Sequence, residues 1–424
     1  SCRPEYCSNI QSILTDLADT IASPQFAQLA RHPQAPNAFT RSRKLPLPAL
    51  VAALLSQRAG SQQAMLDGFF ATLLGDPVAG RMVSDRAFAQ ARARLHMPAL
   101  QWLNDRLIDA AANACFVPRW RGRRLVAADA SVLMPAIRAC HRIQHAASAE
   151  QRLFALYLPG PELTLHAAVH SAAESERAML MESLHLLRTD DVLLLDRGYP
   201  AGWLVQSLLE RGLSFVMRCD NDSGWPAVRE FIRSGRSEAI ATLNKPSARD
   251  AADWGCQRQA PQVRLVRQVA PSGAIRVLAT NLTAAQAPAA DFGDLYHQRW
   301  RIEEAFKRLK HRLHLEAVSG LTQQALIVDV AAKVLADNVA ALMCATAQAE
   351  HLAGKPLRLC NRSYACLLVQ RVLPRIVLMI GDALCLIATA VEQLAANTQR
   401  RHPGRARPRP AHRVKPHPHC AYKG

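Results

Sequence analysis

The sequence predicts an α/β protein, with a mixed sheet in mid-chain, a wholly helical segment before it and more helices after it. Three observations carry this. Residues 10–115 place apolar side chains at helical spacing, as in Ile10, Ile13, Leu14 and Leu17. Between 125 and 217 short apolar runs take over, in the order strand, strand, strand, helix, strand, helix, strand. Beyond residue 326 long stretches of Ala, Leu and Val read as helix again.

Within the helical segment, Leu45-Pro-Leu-Pro-Ala-Leu opens a helix with Pro near its start. Gly60-Ser-Gln-Gln is a turn and cap into 64–74, and Ser84-Asp-Arg-Ala caps a helix through Leu95. That last helix carries Arg86, Arg92 and Arg94 around Gln90. Such a face suits a helix–turn–helix docked on DNA about as well as it suits the solvated side of an ordinary bundle. The basic total of the chain favours DNA.

The first strand, Leu125-Val-Ala-Ala, is expected to end on Asp129. Runs 153–158 and 163–169 are two more strands, joined by the turn Pro159-Gly-Pro-Glu. A helix over 174–187 leads to Val192-Leu-Leu-Leu, a strand ending on Asp196-Arg-Gly-Tyr-Pro. A helix over 201–211 and a strand over 213–217 follow. From 218 to 291 polar turns separate the strand-like runs 239–243, 262–269 and 275–280, which reads as a β-rich insertion. Trp225 and Trp254 fall in or near its loops, where an exposed indole would stack on an unpaired base. Core packing is the commoner fate of a Trp.

Residues 296–310, Tyr-His-Gln-Arg-Trp-Arg-Ile-Glu-Glu-Ala-Phe-Lys-Arg-Leu-Lys, hold no Gly or Pro and read as one helix. At about 100° per residue, Ile302, Ala305, Phe306, Leu309 and Leu313 form an apolar stripe. Beside it, Tyr296, Arg299, Glu303 and Lys310 share an arc of roughly 60°. The other face carries more cations, Lys307 among them. A single carboxylate guarded by cations suits a metal-binding acid whose neighbours hold phosphates. Taken alone, such a helix is more often a solvated amphipathic one. After it come a long helix over 326–349, with Asp329, Lys333 and Asp337 among small apolar residues, and one or two helices over 362–394.

With 424 residues, half of them hydrophobic, the chain is long enough for two or three domains. Its formal net charge of +18 points to a polyanionic partner. The Pro-, Arg- and His-rich tail supplies eight of the Lys and Arg residues and reads as disordered. Eleven scattered cysteines without a CxxC pair read as reduced thiols of a cytoplasmic protein, not as a zinc site. No apolar run is long enough to span a bilayer comfortably, so no membrane role is expected. The chain begins on Ser1, so its natural start is read as missing or processed.

Either Asp alone, at the end of its strand, is more often a cap or a turn former. Two of them, followed by a helix with a guarded Glu, tip the balance. Asp129, Asp196 and Glu303 together suit two Mg²⁺ ions about 3.5–4 Å apart, with Mn²⁺ able to substitute. Arg299, Lys310 and Tyr296 would then fix phosphates beside them.

These residues carry a family resemblance. The chain resembles DDE transposases of the bacterial insertion sequence 4 family. That family's signature of Tyr, two residues, Arg, three residues, Glu, six residues, Lys is matched by Tyr296, Arg299, Glu303 and Lys310. Asp196-Arg-Gly-Tyr resembles its second-Asp motif and Asp129-Ala-Ser its first, with Ala130 where the family typically has Gly. The run from Arg43-Lys-Leu-Pro through Phe69-Phe to Val83-Ser-Asp-Arg-Ala-Phe is similar to its N-terminal domain.

The resemblance implies a ribonuclease-H-like core with a β-rich insertion. It also implies metal-dependent cleavage at the terminal inverted repeats of a DNA element and strand transfer into target DNA. A homodimer would hold the two ends, in the bacterial cytoplasm or on the nucleoid. By it Asp129, Asp196 and Glu303 are the catalytic metal ligands. Tyr296, Arg299, Lys310, Arg197, Lys307 and Trp254 are the DNA contacts. The expected division is a helical DNA-binding domain over 1–117, a catalytic domain over 118–322 with its insertion at about 218–290, helices over 323–398 and the basic tail 399–424.

Overall fold

The computed structural model describes residues 6–41, 43–56, 60–76, 81–135, 150–219, 224–269, 273–355 and 357–401. The tail expected to be disordered lies outside them from residue 402 onward. The chain divides into two compact units, one of residues 1–116, 132–151 and 306–424, the other of 117–131 and 152–305.

Among the described residues, six helices come first: α1 (Tyr6–Ala22), α2 (Pro24–Leu29), α3 (Leu47–Leu55), α4 (Gln62–Leu74), α5 (Asp85–Ala93) and α6 (Met97–Asn113). Ser61 and Ser84 cap α4 and α5 by accepting the amides of Ala64 and Ala87. The sheet region follows, with β1 (Arg124–Leu133), β2 (Gln151–Leu158), β3 (Leu163–Ser171), α7 (Glu176–Ser183), β4 (Asp191–Leu195), α8 (Gly202–Glu210) and β5 (Ser214–Cys219). Then come α9 (Pro226–Ser234), β6 (Glu238–Thr242), α10 (Ala248–Trp254), β7 (Gln262–Val269) and β8 (Ile275–Thr280). The chain continues through α11 (Phe292–His297), α12 (Arg301–His311), α13 (Gln323–His351), β9 (Arg358–Cys360), α14 (Arg362–Val377), α15 (Ala383–Ala396) and β10 (Thr398–Arg400).

In the first unit α13 is the central rod, packed by α1, α3, α5, α6, α14 and α15. Most of its length is apolar, and its buried polar side chains have partners, although Oδ2 of Asp337 has no hydrogen bond and only the Arg308 guanidinium at 3.6 Å. Asp329 accepts the Ser319 amide and hydroxyl, each at 2.7 Å. Lys333 donates to the carbonyls of His314 at 2.7 Å and Ala317 at 3.1 Å. Asn338 donates to Asn104 at 2.7 Å, and Arg362 reaches Asp337 at 3.1 Å. Arg92 of α5 is also drawn inward, 4% exposed and bonded to the Ser319 hydroxyl. It therefore leaves the Arg-bearing face that the sequence suggested, while Arg86 and Arg94 remain exposed.

The second unit is built on an eight-stranded sheet of order β3-β2-β1-β4-β5-β8-β7-β6. β1, β4 and β5 run parallel, and β8, β7 and β6 follow antiparallel. A β2–β3 hairpin on one side of three parallel strands is the ribonuclease-H-like order. β4 is buried at every residue, as a central parallel strand must be. The buried pair of Arg124 and Asp191, bidentate at 2.6 and 2.8 Å, ties the starts of β1 and β4.

Two expectations change in detail. β1 does not stop at Asp129 but runs through it to Leu133. The apolar run ends at Ala128, yet an extended backbone needs no apolar side chains where it borders a site. The insertion is not a separate β body either. Its strands extend the main sheet through β8 on β5, and it contains two short helices, α9 and α10.

Candidate active site

The parallel register sets the site. Ala127 of β1 pairs with Leu194 of β4, and Asp129 and Asp196 each lie two residues beyond that couple. Pleat parity puts both side chains on one face of the sheet. Strands about 4.8 Å apart bring the two acids together. Asp129 accepts its neighbour Ala130's amide at 2.9 Å, and Asp196 accepts that of Gly198 at 2.7 Å.

Residues 296–310 form a broken helix where a single one was expected: α11, a 3₁₀ turn over Gln298–Trp300, then α12. The tightened turn carries Arg299, which is 6% exposed. Its guanidinium donates to Asp129 at 3.2 Å and to Glu303 at 2.9 Å, so one cation joins the strand acid to the helix acid. Its Nε has no partner. Burial opposes the Arg299 charge, but Tyr296, Asp129, Asp196 and the bond to Glu303 raise its pKa overall.

Burial pushes the Asp129 carboxyl up to about 7, against Arg299, and the charges of Asp196 and Glu176 add to the rise. Glu176, the first residue of α7, is likewise raised by burial and then by Asp196. The sequence reading missed this fourth acid. Behind its Ser175 cap it looks like any Glu favoured at a helix N-terminus. Nothing in the local pattern says that the helix starts beside Asp196. Tyr199 was quoted only as part of a motif. It is fully buried, its hydroxyl has no partner, and burial and the charges of Glu176, Asp129 and Asp196 hold its pKa well above the usual value.

The remaining candidates divide by exposure. Tyr296 is 1% exposed, with the Arg276 and Arg299 guanidiniums 5.6 and 6.0 Å from its ring centre. It packs against the arginine that holds the acids. Lys310 is half-buried and donates to the Val132 carbonyl. Arg197 and Lys307 are exposed. Trp254 stacks on Trp203 at 4.3 Å, with the rings 5° from parallel, and Trp225 is buried. Trp254 is half-buried, with one face covered by Trp203.

Asp129, Asp196 and Glu303 stand wider apart than a closed metal shell, with Arg299 between two of them. Among the described residues, the three-residue group whose ligand atoms all lie within 4.8 Å of one another is His170, Glu174 and Glu182. Its core is a bond between neighbours four residues apart, His170 to Glu174 at 3.1 Å. The described cysteines are all free, and among the described residues no helix is long and apolar enough to cross a membrane.

Level acids on adjoining parallel strands of a ribonuclease-H-like sheet, tied to a glutamate on a later helix, are the arrangement expected from the resemblance to DDE transposases. The profile of the transposase DDE domain family matches residues 121–338, half of the chain, and the chain belongs to that family. No curated protein matches the sequence. Among solved structures, the chain is similar to piggyBac transposase in a synaptic complex with hairpin DNA. The identity is 11% and the TM-score 0.41, with 94% of this chain and 84% of that chain covered.

Proposed function

We propose that this transposase is a cut-and-paste enzyme of the insertion sequence 4 group, cleaving DNA at the inverted repeats of its element and joining the ends to target DNA. The observation that carries the reading is the level placement of Asp129 and Asp196 with Glu303 bound to the same arginine.

Asp129, Asp196 and Glu303 would hold Mg²⁺, or Mn²⁺ in its place. The donor set fits, being hard carboxylate oxygens in a site where acids outnumber their cations. The unmatched Tyr199 hydroxyl fits too, since it calls for an oxygen ligand or water. When bound, such ions supply an activated water or 3′-hydroxyl and stabilise the leaving oxygen. The chain's own residues do the positioning. Arg299 aligns Asp129 with Glu303, and Tyr296 packs beside Arg299. Arg197, Lys307 and Lys310 are the proposed phosphate contacts, and Trp254, stacked on Trp203 by one face, is the proposed base contact.

The helical residues 1–117 are proposed to bind the DNA ends. They contain a cleft of about 570 Å³ bordered by Arg41, Arg43, Lys44, Gln90 and Arg94, whose cations suit a phosphate backbone. The other proposed divisions are catalytic residues 118–322, helices over 323–398 and a tail from 399 that adds nonspecific phosphate contacts. Two copies would hold the two ends of the element.

The test is cleavage of a DNA fragment bearing the ends that flank the coding sequence, in Mg²⁺. The parent should cut at the ends, and Asp129→Asn, Asp196→Asn and Glu303→Gln should not. Equal cutting by folded variants would refute the assignment.

A further inference from the structure

We propose that Glu176 is a fourth carboxylate of the divalent-metal site, sharing an ion with Asp196, and that the Tyr199 hydroxyl orients it; this rests on the metal-site reading above.

Three contacts fix Glu176 at this place. Ser175 caps α7 by accepting the Ala178 amide at 3.2 Å, which fixes the backbone from which Glu176 projects. Arg177 then donates its Nε to the Gly198 carbonyl at 2.9 Å, locking the first turn of α7 to the Asp196 turn. Arg152 lies 3.6 Å from Oε1 of Glu176, so that oxygen has a countercharge. The other oxygen, Oε2, faces Asp196. A methyl group placed on Gly198 would meet Asp196 Oδ1 at 3.0 Å and Glu176 Oε2 at 3.3 Å, so two carboxylates converge on one point. Only a residue without a side chain leaves that point open.

The second observation is independent. Tyr199 is wholly buried, yet its hydroxyl has no partner. The charged groups that act on it are Glu176 first, then Asp129, Asp196 and Arg299. A buried hydroxyl is seldom left unmatched, and a metal-bound water or a turned carboxylate would match this one. An ordinary role for Glu176 at the helix N-terminus accounts for its residue type. It does not account for the convergence on Asp196 or for the orphaned phenol.

The experiment is calorimetric titration of Mn²⁺ into the full chain, in a Glu182→Gln background so that the His170 group does not contribute. Folding is checked by circular dichroism. Glu176→Gln should weaken Mn²⁺ binding by at least about tenfold, and Tyr199→Phe by several-fold. Should Glu176→Gln fail to fold, Gly198→Ala gives the same reading, because its methyl would displace both oxygens. Glu176→Gln or Gly198→Ala titrating like the parent, while Asp196→Asn loses binding, overturns the role of Glu176 and leaves the three-acid site standing. If Asp196→Asn and Glu303→Gln also bind like the parent, or the parent binds no Mn²⁺, the metal-site reading falls and this proposal with it.

Discussion

Asp129 and Asp196 stand level on neighbouring parallel strands, each two residues past the paired couple Ala127 and Leu194. Register alone therefore brings together two acids that the sequence separates by a hairpin and a helix. Arg299, bonded to Asp129 and near enough to Asp196 to feel its charge, is the cation that offsets both.

Removing that cation should be costly. Arg299→Met leaves Asp129 and Glu303 without their shared partner, and loss of one side of a buried pair costs about 3 kcal/mol. Part-exposed Glu303 will reduce that figure. Urea unfolding without metal should show the loss, and millimolar Mn²⁺ should restore much of it. Metal that stabilises parent and variant equally would show that Arg299 does not balance these acids.

Tyr296 should behave as a packing residue. Tyr296→Phe keeps the ring between Arg276 and Arg299 and should retain cleavage within a few-fold of the parent. Tyr296→Ala opens a core cavity and should cost roughly 3–5 kcal/mol. Thermal unfolding set beside DNA-cleavage rates checks both. A severe cleavage defect in stable Tyr296→Phe would instead assign chemistry to the hydroxyl.

Lys333 gives a pH dependence with a definite sign. Burial pushes it down to about 8, with Asp329 opposing. Between about pH 8 and 10.5 the unfolded chain holds a proton that the folded chain has lost. Stability should rise across that window, and below it both states are charged and the contribution is flat. Urea unfolding of parent minus Lys333→Met should show the rise; a difference that does not change between pH 8 and 10.5 would contradict it.

The pair of Arg124 and Asp191 should be a stability element and nothing more. Asp191→Asn strands a buried guanidinium and should cost about 3–5 kcal/mol, while the double change Arg124→Met with Asp191→Leu should recover most of it. Denaturant midpoints of the three variants decide this.

Much of the fold was legible because its elements announce themselves locally. Val192-Leu-Leu-Leu is apolar on both faces, as a central strand must be, and Ser61 and Ser84 mark their helix starts. Asp129, Asp196 and Glu303 were legible as candidates by their positions after apolar runs or on an amphipathic face. The 3₁₀ turn at 298–300 was not, because it serves a buried Arg299 whose partner lies 170 residues away. Arg92 misled for a similar reason: its partner, Ser319, comes 227 residues later. Glu176 had no local signal, and Tyr199 had only its place in the Asp196-Arg-Gly-Tyr motif, since what distinguishes both is the tertiary approach of α7 to the Asp196 turn. Trp254 looked like a loop indole, and its stack on Trp203 is likewise a tertiary fact.

The central claim is tested most directly by a strand-transfer assay. Purified protein, Mg²⁺, a labelled fragment carrying the flanking DNA ends and a supercoiled target plasmid are combined, and covalently joined products are separated on a denaturing gel. The account predicts joined products with the parent and none with folded Glu303→Gln. Joining that persists in Glu303→Gln, or a parent that cuts the ends and never joins them, would contradict it.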